Sequence, residues 1–209
     1  MRLRTKLLLG AVALAVIIVV IAVSVVFGSN PMTGARAPAS YLTEDGRREQ
    51  EMSENHPDVI FATYHKKNRI PRKVYRRFSQ HAPEYELIVH DDDEARRWLT
   101  KWYTPKVLEV FEALSGAHRA DLIRFAWLYV KGGWYLDIKT ILVEDLKSFE
   151  PPSNDLVVAT DSNVSPAHIG ILYGPAGSPV FGRMLDLIVR TNPVVPKLFY
   201  IHFCYLFKE

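Results

Sequence analysis

Hydrophobic positions along the chain recur with two periods, near two residues in some segments and near 3.6 in others, and the two kinds alternate from residue 57 onward. The stretches "DVIFATY" (58–64) and "YELIVH" (85–90) read as short strands, and "PRKVYRRFSQHAP" between them as a short helix bounded by proline. "DDDEARRWLTKWY" (91–103) opens a helix whose acidic first turn suits the positive end of the helix dipole. In "PKVLEVFEALS" (105–115), Pro105 fits a first helical turn and Val107, Leu108, Phe111 and Leu114 recur at helical spacing. "GAHRADLIRFAWLYVKGG" (116–133) is apolar almost all round and stops at a glycine pair, which is the pattern of a buried helix. Strands are predicted at "WYLDIKTILV" (134–143), "DLVVAT" (155–160) and "HIGILYG" (168–174), and a last helix at "SPVFGRMLDLIVRT" (178–191). This alternation predicts an α/β fold with three layers around a mainly parallel sheet. There is no internal repeat and no low-complexity tract.

The amino-terminal part follows another pattern. From Leu7 to Phe27 run 21 residues without a charge, enough at about 1.5 Å rise per residue to cross a hydrocarbon core of roughly 30 Å. An uncleaved signal anchor fits this length better than a cleaved signal peptide, whose apolar region is about 7 to 15 residues. Arg2, Arg4 and Lys6 precede the run and the next basic residue is Arg36, so the positive-inside bias holds residues 1–6 in the cytosol and directs the rest to the lumen or exterior. Residues 28–56 are rich in Gly, Pro, Ser and charge and read as a flexible stem, which leaves 57–209 for the folded domain. The tail "KLFYIHFCYLFKE" is strongly apolar to its end, and a carboxyl-terminal truncation of the domain is left open.

Charge and composition narrow the partners. The chain of 209 residues is 48% hydrophobic, which suits a packed core. Of 26 Lys and Arg, three precede the apolar run, and the remaining 23 equal the 23 Asp and Glu, so the exported part is neutral and no nucleic acid is expected as a partner. Cys204 is the single cysteine, which excludes an intrachain disulfide and a cysteine-based zinc site.

The chemistry concentrates in "HRADLIRFAWLYVKGGWYLDIKT". Asp121 and Arg124 stand three apart on the apolar helix and project from one face. Unpaired and buried, either would cost several kcal/mol, so they are paired or open to a cleft. On the predicted strand, Asp137 and Lys139 share one side and Ile138 takes the other. Two readings follow from placement alone: structural ion pairs at a sheet edge, or a ligand cleft at the carboxyl end of a strand.

In order, Arg119, Ala120, Asp121, Arg124, Gly132, Gly133, Tyr135, Asp137 and Lys139 resemble the R-A-D-x-x-R helix and G-G-x-Y-x-D-x-D strand of D-x-D glycosyltransferases of the Golgi α-mannosyl- and α-galactosyltransferase type, a glycosyltransferase family 32-like pattern. The resemblance covers about Pro57 to Pro193. It implies a GT-A domain, Rossmann-like and nucleotide-sugar-binding, which the apolar run would set behind an N-terminal transmembrane helix. It also implies a nucleotide-sugar donor, a glycan or glycolipid acceptor, and transfer with retention of configuration. By the same likeness, Asp121, Arg124 and Asp137 are the catalytic set; with Tyr135 and Lys139 they bind the donor, and Asp137 is the implied ligand of Mn²⁺ or another divalent cation. Lys139 departs from the pattern, because a protonated ammonium repels a cation. Three outcomes stay open: Lys139 replaces the metal's charge, a cation is still held through Asp137 and the donor phosphates, or transfer has been lost.

Other signals are weaker. Asp91, Asp92 and Asp93 are explained more simply by a helix start than by a metal cluster. "KKNRIPRKVYRR" carries seven cations in twelve residues and reads as a solvated face before a phosphate or lipid-headgroup patch. His118 fits local packing before the edge of a cleft, Asp161 and His168 are candidates for that edge, and Trp127, Tyr129 and Trp134 for the core. Asn163 opens the sequon "NVS", followed directly by Pro166. The leading expectation is a single-pass type II membrane hexosyltransferase of the Golgi or another secretory-pathway membrane, with its domain in the lumen. The alternatives are a non-catalytic membrane-anchored nucleotide-sugar or carbohydrate-binding protein of the same fold, and a tethered adhesion or scaffold domain that binds no nucleotide.

Overall fold

The computed structural model describes residues 39–53, 58–114, 116–151, 156–161 and 165–191. The apolar run Leu7–Phe27, Asn163 and Cys204 lie outside them. Among the described residues, no helix is long and apolar enough to cross a membrane.

Five strands form one sheet in the order β2-β1-β3-β5-β4, where β1 is Val59–Thr63, β2 Glu86–His90, β3 Gly133–Leu136, β4 Val157–Asp161 and β5 Ser165–Gly174. β1 pairs in parallel with β2 and with β3. β5 pairs antiparallel with both β3 and β4, so four strands share a direction and β5 alone runs against them. Period-two alternation is identical for either direction, so the sequence could not reveal this reversal.

The sheet alternation assigns side chains to two cores. Phe61, Tyr135, Val158, Ile169 and Leu172 face a layer of helices: α3 (Asp92–Trp102), α4 (Pro105–Ala113), α5 (Ala117–Lys131) and α6 (Pro179–Thr191). Ile60, Ala62, Val89, Trp134, Leu136 and Tyr173 face the other side, against Phe78 of α2 (Arg72–His81), Ile70, Leu142 and Leu146. The three-layer α/β expectation therefore holds for the described residues. Helix α5 is central, since residues 121–130 are buried without interruption. Its Trp127 stacks flat on Phe61 with 4.2 Å between ring centroids.

Two boundaries differ from the sequence reading. The stem was expected to extend through residue 56, but Glu44–Met52 form helix α1, started by Thr43, whose hydroxyl accepts from Gly46 N–H at 3.0 Å. Leu42 bridges to Tyr103, Gln50 donates to the Tyr129 carbonyl at 2.7 Å, and Glu49 pairs with Lys131. Residues 39–53 thus belong to the folded unit. The strand expected over 134–143 ends at Leu136, because Asp137 turns the chain: its carbonyl accepts from Thr140 N–H at 2.7 Å. Ile138 and Leu142 remain buried, which is why the apolar pattern continues past the strand.

The glycine pair closes α5 and starts β3 within two residues. Gly132 has φ +68° and donates to the Leu128 carbonyl at 2.9 Å, and a Cβ there would stand 2.6 Å from Ala176 N. With ψ at −160° the backbone lies in a region essentially confined to glycine, which costs a residue bearing a Cβ on the order of 1–3 kcal/mol, and the clash adds to it. Gly132→Ala is expected to lower the unfolding free energy by more than that amount in urea titrations; an unchanged midpoint would contradict the assignment.

Candidate functional site

A cavity of about 400 Å³ opens where the parallel strands β1, β2 and β3 end. Its wall takes Thr63 at the end of β1 with Tyr64 and His65 beyond it, His90 at the end of β2 with Asp91 and Asp92 beyond it, and Asp137, Ile138 and Lys139 after β3. β1 lies between β2 and β3, so this is the point where successive connections leave in opposite directions. Ligands of open α/β sheets bind in such a crevice. Most of the remaining wall is the first part of α5, with Ala117, Arg119, Ala120, Ile123 and Arg124, and Ala95 of α3, Phe111 of α4 and Tyr135 of β3 also line it.

Arg124 joins the predicted residues. It is 4% exposed, and its Nη2 lies 3.0 Å from Asp121 Oδ1 and 3.6 Å from Asp137 Oδ1. Its Nη1 donates to the Ile169 carbonyl of β5, and its guanidinium sits 4.5 Å from the Tyr135 ring centroid. The fork expected to bind the donor is therefore turned onto protein groups. Asp121 is 2% exposed and does not line the cavity. Neither of its oxygens accepts a directed hydrogen bond among the described residues, although Arg124 balances the charge and His118 Nδ1 stands 3.6 Å away.

Asp137 is the exposed member, its side chain 45% accessible. Tyr135 Oη donates to its Oδ1 at 2.8 Å, and its own N–H donates to the Gly170 carbonyl at 2.8 Å. Tyr135 itself is 1% exposed, so it braces Asp137 rather than offering a broad surface to a ligand. Burial raises the Tyr135 phenol well above its ordinary pKa, against the opposing pull of Arg124, and keeps it a donor at neutral pH. Gly170 makes room for the arrangement: a Cβ there would lie 2.6 Å from Asp137 Oδ2 and 2.7 Å from the His168 ring. Its role was missed in the sequence, where a glycine inside a strand pattern signals only a bulge or a close approach.

The acidic triplet follows the helix-start reading. Asp91 accepts from the N–H groups of Asp93 and Glu94 at 3.1 and 2.9 Å, while Glu94 accepts from Asp91 N–H at 3.0 Å, a complete capping box. Asp92 pairs with Arg119 at 2.9 Å and Asp93 with Arg96 at 2.5 Å. Arg119 also donates to the carbonyls of Phe111, Glu112 and Leu114, tying the end of α4 to the start of α3. Among the described residues, no group of three His, Cys, Asp or Glu is placed to hold a metal ion. With Asp137 flanked by a guanidinium and followed two residues later by a lysine, the protein's own donors do not fit a resident divalent cation.

The remaining candidates scatter. His168 Nδ1 accepts from Gly170 N–H at 3.3 Å and stands beside Asp137. Asp161 ends β4, paired with Ser165. Trp134 faces the second core. His90, not singled out in the sequence, lines the cavity edge-on to Phe61 and Trp127, with a buried Nδ1 that has no hydrogen-bond partner among the described residues.

Two outcomes follow from this geometry. Arg124→Ala leaves Asp121 buried without its counter-charge and is expected to destabilise by about 3–5 kcal/mol in denaturant titrations, whereas Asp137→Asn at its half-open position is expected to change stability little. Burial lowers the His90 pKa below its reference of 6.5, so the unfolded chain takes up the proton first as pH falls. Stability is then expected to drop as pH falls below about 6.5, and the drop is expected to shrink in His90→Gln, measured as unfolding free energy against pH.

In comparison with known families, residues 50–158 match the family model described as "glycosyltransferase sugar-binding region containing DXD motif", just over half of the chain. No curated protein and no solved structure matches it. The matched residues include α5, β3 and the turn that carries Asp137 and Lys139. The chain belongs to the DXD-containing glycosyltransferase sugar-binding family.

Proposed function

We propose that the protein is a membrane-anchored hexosyltransferase that moves a sugar from a nucleotide-sugar donor to a hydroxyl of a glycan or glycolipid, with retention of configuration. Family membership supports a glycosyltransferase-type function. The observation that supports sugar transfer is Asp137, held at the cavity wall by Tyr135 and Arg124, where a carboxylate can orient sugar hydroxyls. The volume of about 400 Å³ is within the range of small-molecule sites.

In the proposed reaction, the bond from the anomeric carbon to the diphosphate breaks and its electron pair leaves with the diphosphate. The acceptor oxygen bonds to the same face of the sugar, and its proton passes to a departing phosphate oxygen. This route needs no protein nucleophile. Arg124, itself held by Asp121, fixes the position of Asp137 from the helix side. The charge-free run Leu7–Phe27, read as a type II signal anchor, supports a lumenal domain in the Golgi or another secretory-pathway membrane.

The second reading, a donor-binding protein without turnover, is favoured by Lys139 alone. Donor hydrolysis and transfer by the full-length protein in detergent separates the two across a panel of nucleotide sugars and acceptors. Turnover is expected, with Asp137→Ala lowering kcat/KM by on the order of 10²-fold; binding without turnover throughout the panel would reject transfer.

A further inference from the structure

The cavity contains three strong cations, and they are not equivalent. Arg119 is committed to Asp92 and to the carbonyls that end α4. Arg124 is committed to Asp121, Asp137 and the Ile169 carbonyl. Lys139 is exposed, lines the same wall, and has no carboxylate within 4 Å among the described residues.

The carboxylates are likewise committed. Asp91 caps α3, Asp92 holds Arg119, and Asp137 accepts from Tyr135 beside Arg124. A divalent cation placed at Asp137 would meet one partly satisfied carboxylate, with an ammonium carried on the same four-residue turn. Like charges lining one cavity repel, whereas a diphosphate would find in Lys139 a cation with open donors.

Resting on the nucleotide-sugar reading, we propose that Lys139 takes the place of a metal ion: its ammonium binds the donor diphosphate directly, and donor binding needs no divalent cation. The turn from Asp137 to Thr140 fixes the division of labour. Asp137, at its first position, addresses the sugar, and Lys139, at its third, addresses the phosphates. As the anomeric bond breaks, the negative charge gathering on the leaving diphosphate is met by Lys139, with no additional reactant.

The test is calorimetric binding of GDP and UDP to the full-length protein in detergent, first in EDTA and then in Mn²⁺. At least one nucleotide is expected to bind in EDTA with little change on adding Mn²⁺. Lys139→Ala is expected to weaken that binding by about tenfold or more, and Lys139→Arg to retain most of it. Lys139→Asp is expected to lose binding in EDTA and recover it in Mn²⁺. Binding that requires Mn²⁺ in the unaltered protein, or that survives Lys139→Ala undiminished, overturns the inference and leaves the nucleotide-sugar reading intact. No binding of either nucleotide in either condition overturns both. Because Lys139 is exposed on a turn, the variants are expected to keep the unfolding midpoint, and a shared loss of midpoint would assign the residue a structural role instead.

Discussion

An arginine buried in an apolar helix needs a partner in every direction that its guanidinium donates, and Arg124 finds them on three elements. Asp121 lies one turn back on α5, Asp137 follows β3, and the Ile169 carbonyl belongs to β5. Removing a charge from water costs several kcal/mol unless such partners are in place, so α5, β3 and β5 can approach one another only in the arrangement that supplies them. The requirement fixes helix against sheet at the same point where Asp137 reaches the cavity. Aromatic packing reinforces it, with Tyr135 beneath the guanidinium and Trp127 stacked on Phe61.

The site is divided between groups that hold and groups that face outward. Asp121, Arg124 and Tyr135 are almost fully buried and engage mainly one another. Asp137 and Lys139 occupy the turn beyond the strand, where backbone hydrogen bonds to Gly170 and Thr140 set their direction. Precision at the wall therefore comes from buried polar pairing, which is rigid, while solvent-facing chemistry is confined to a few residues. That separation explains why a motif of nine residues spread over a helix, a glycine pair and a strand is needed to specify two outward groups.

Much of this was legible in the sequence because the signals were local. Periodicity located the strands and helices, the glycine pair marked the end of α5, and the acidic triplet marked the start of α3. Polar composition misled at the amino-terminal side: "EDGRREQEM" has little apolar surface, and α1 is held by Gly46 against the Trp102 carbonyl and by ion pairs rather than by a hydrophobic face. The continuation of apolar residues beyond Leu136 misled in the opposite sense, since Ile138 and Leu142 are buried from an irregular segment. Gly170 and the Ile169 carbonyl were beyond reach because they enter the site from a strand more than thirty residues away, through pairing that no local pattern encodes.

The reversed strand has a consequence for where the functional unit ends. The family match stops at Val158, before β5 begins at Ser165. Yet β5 supplies the carbonyl that anchors Arg124 and the bare backbone that accommodates Asp137. A transplant or minimal fragment trimmed to the matched residues would carry every motif letter and lack the floor on which those letters stand. The smallest portable form of this site is thus a hairpin longer than its signature.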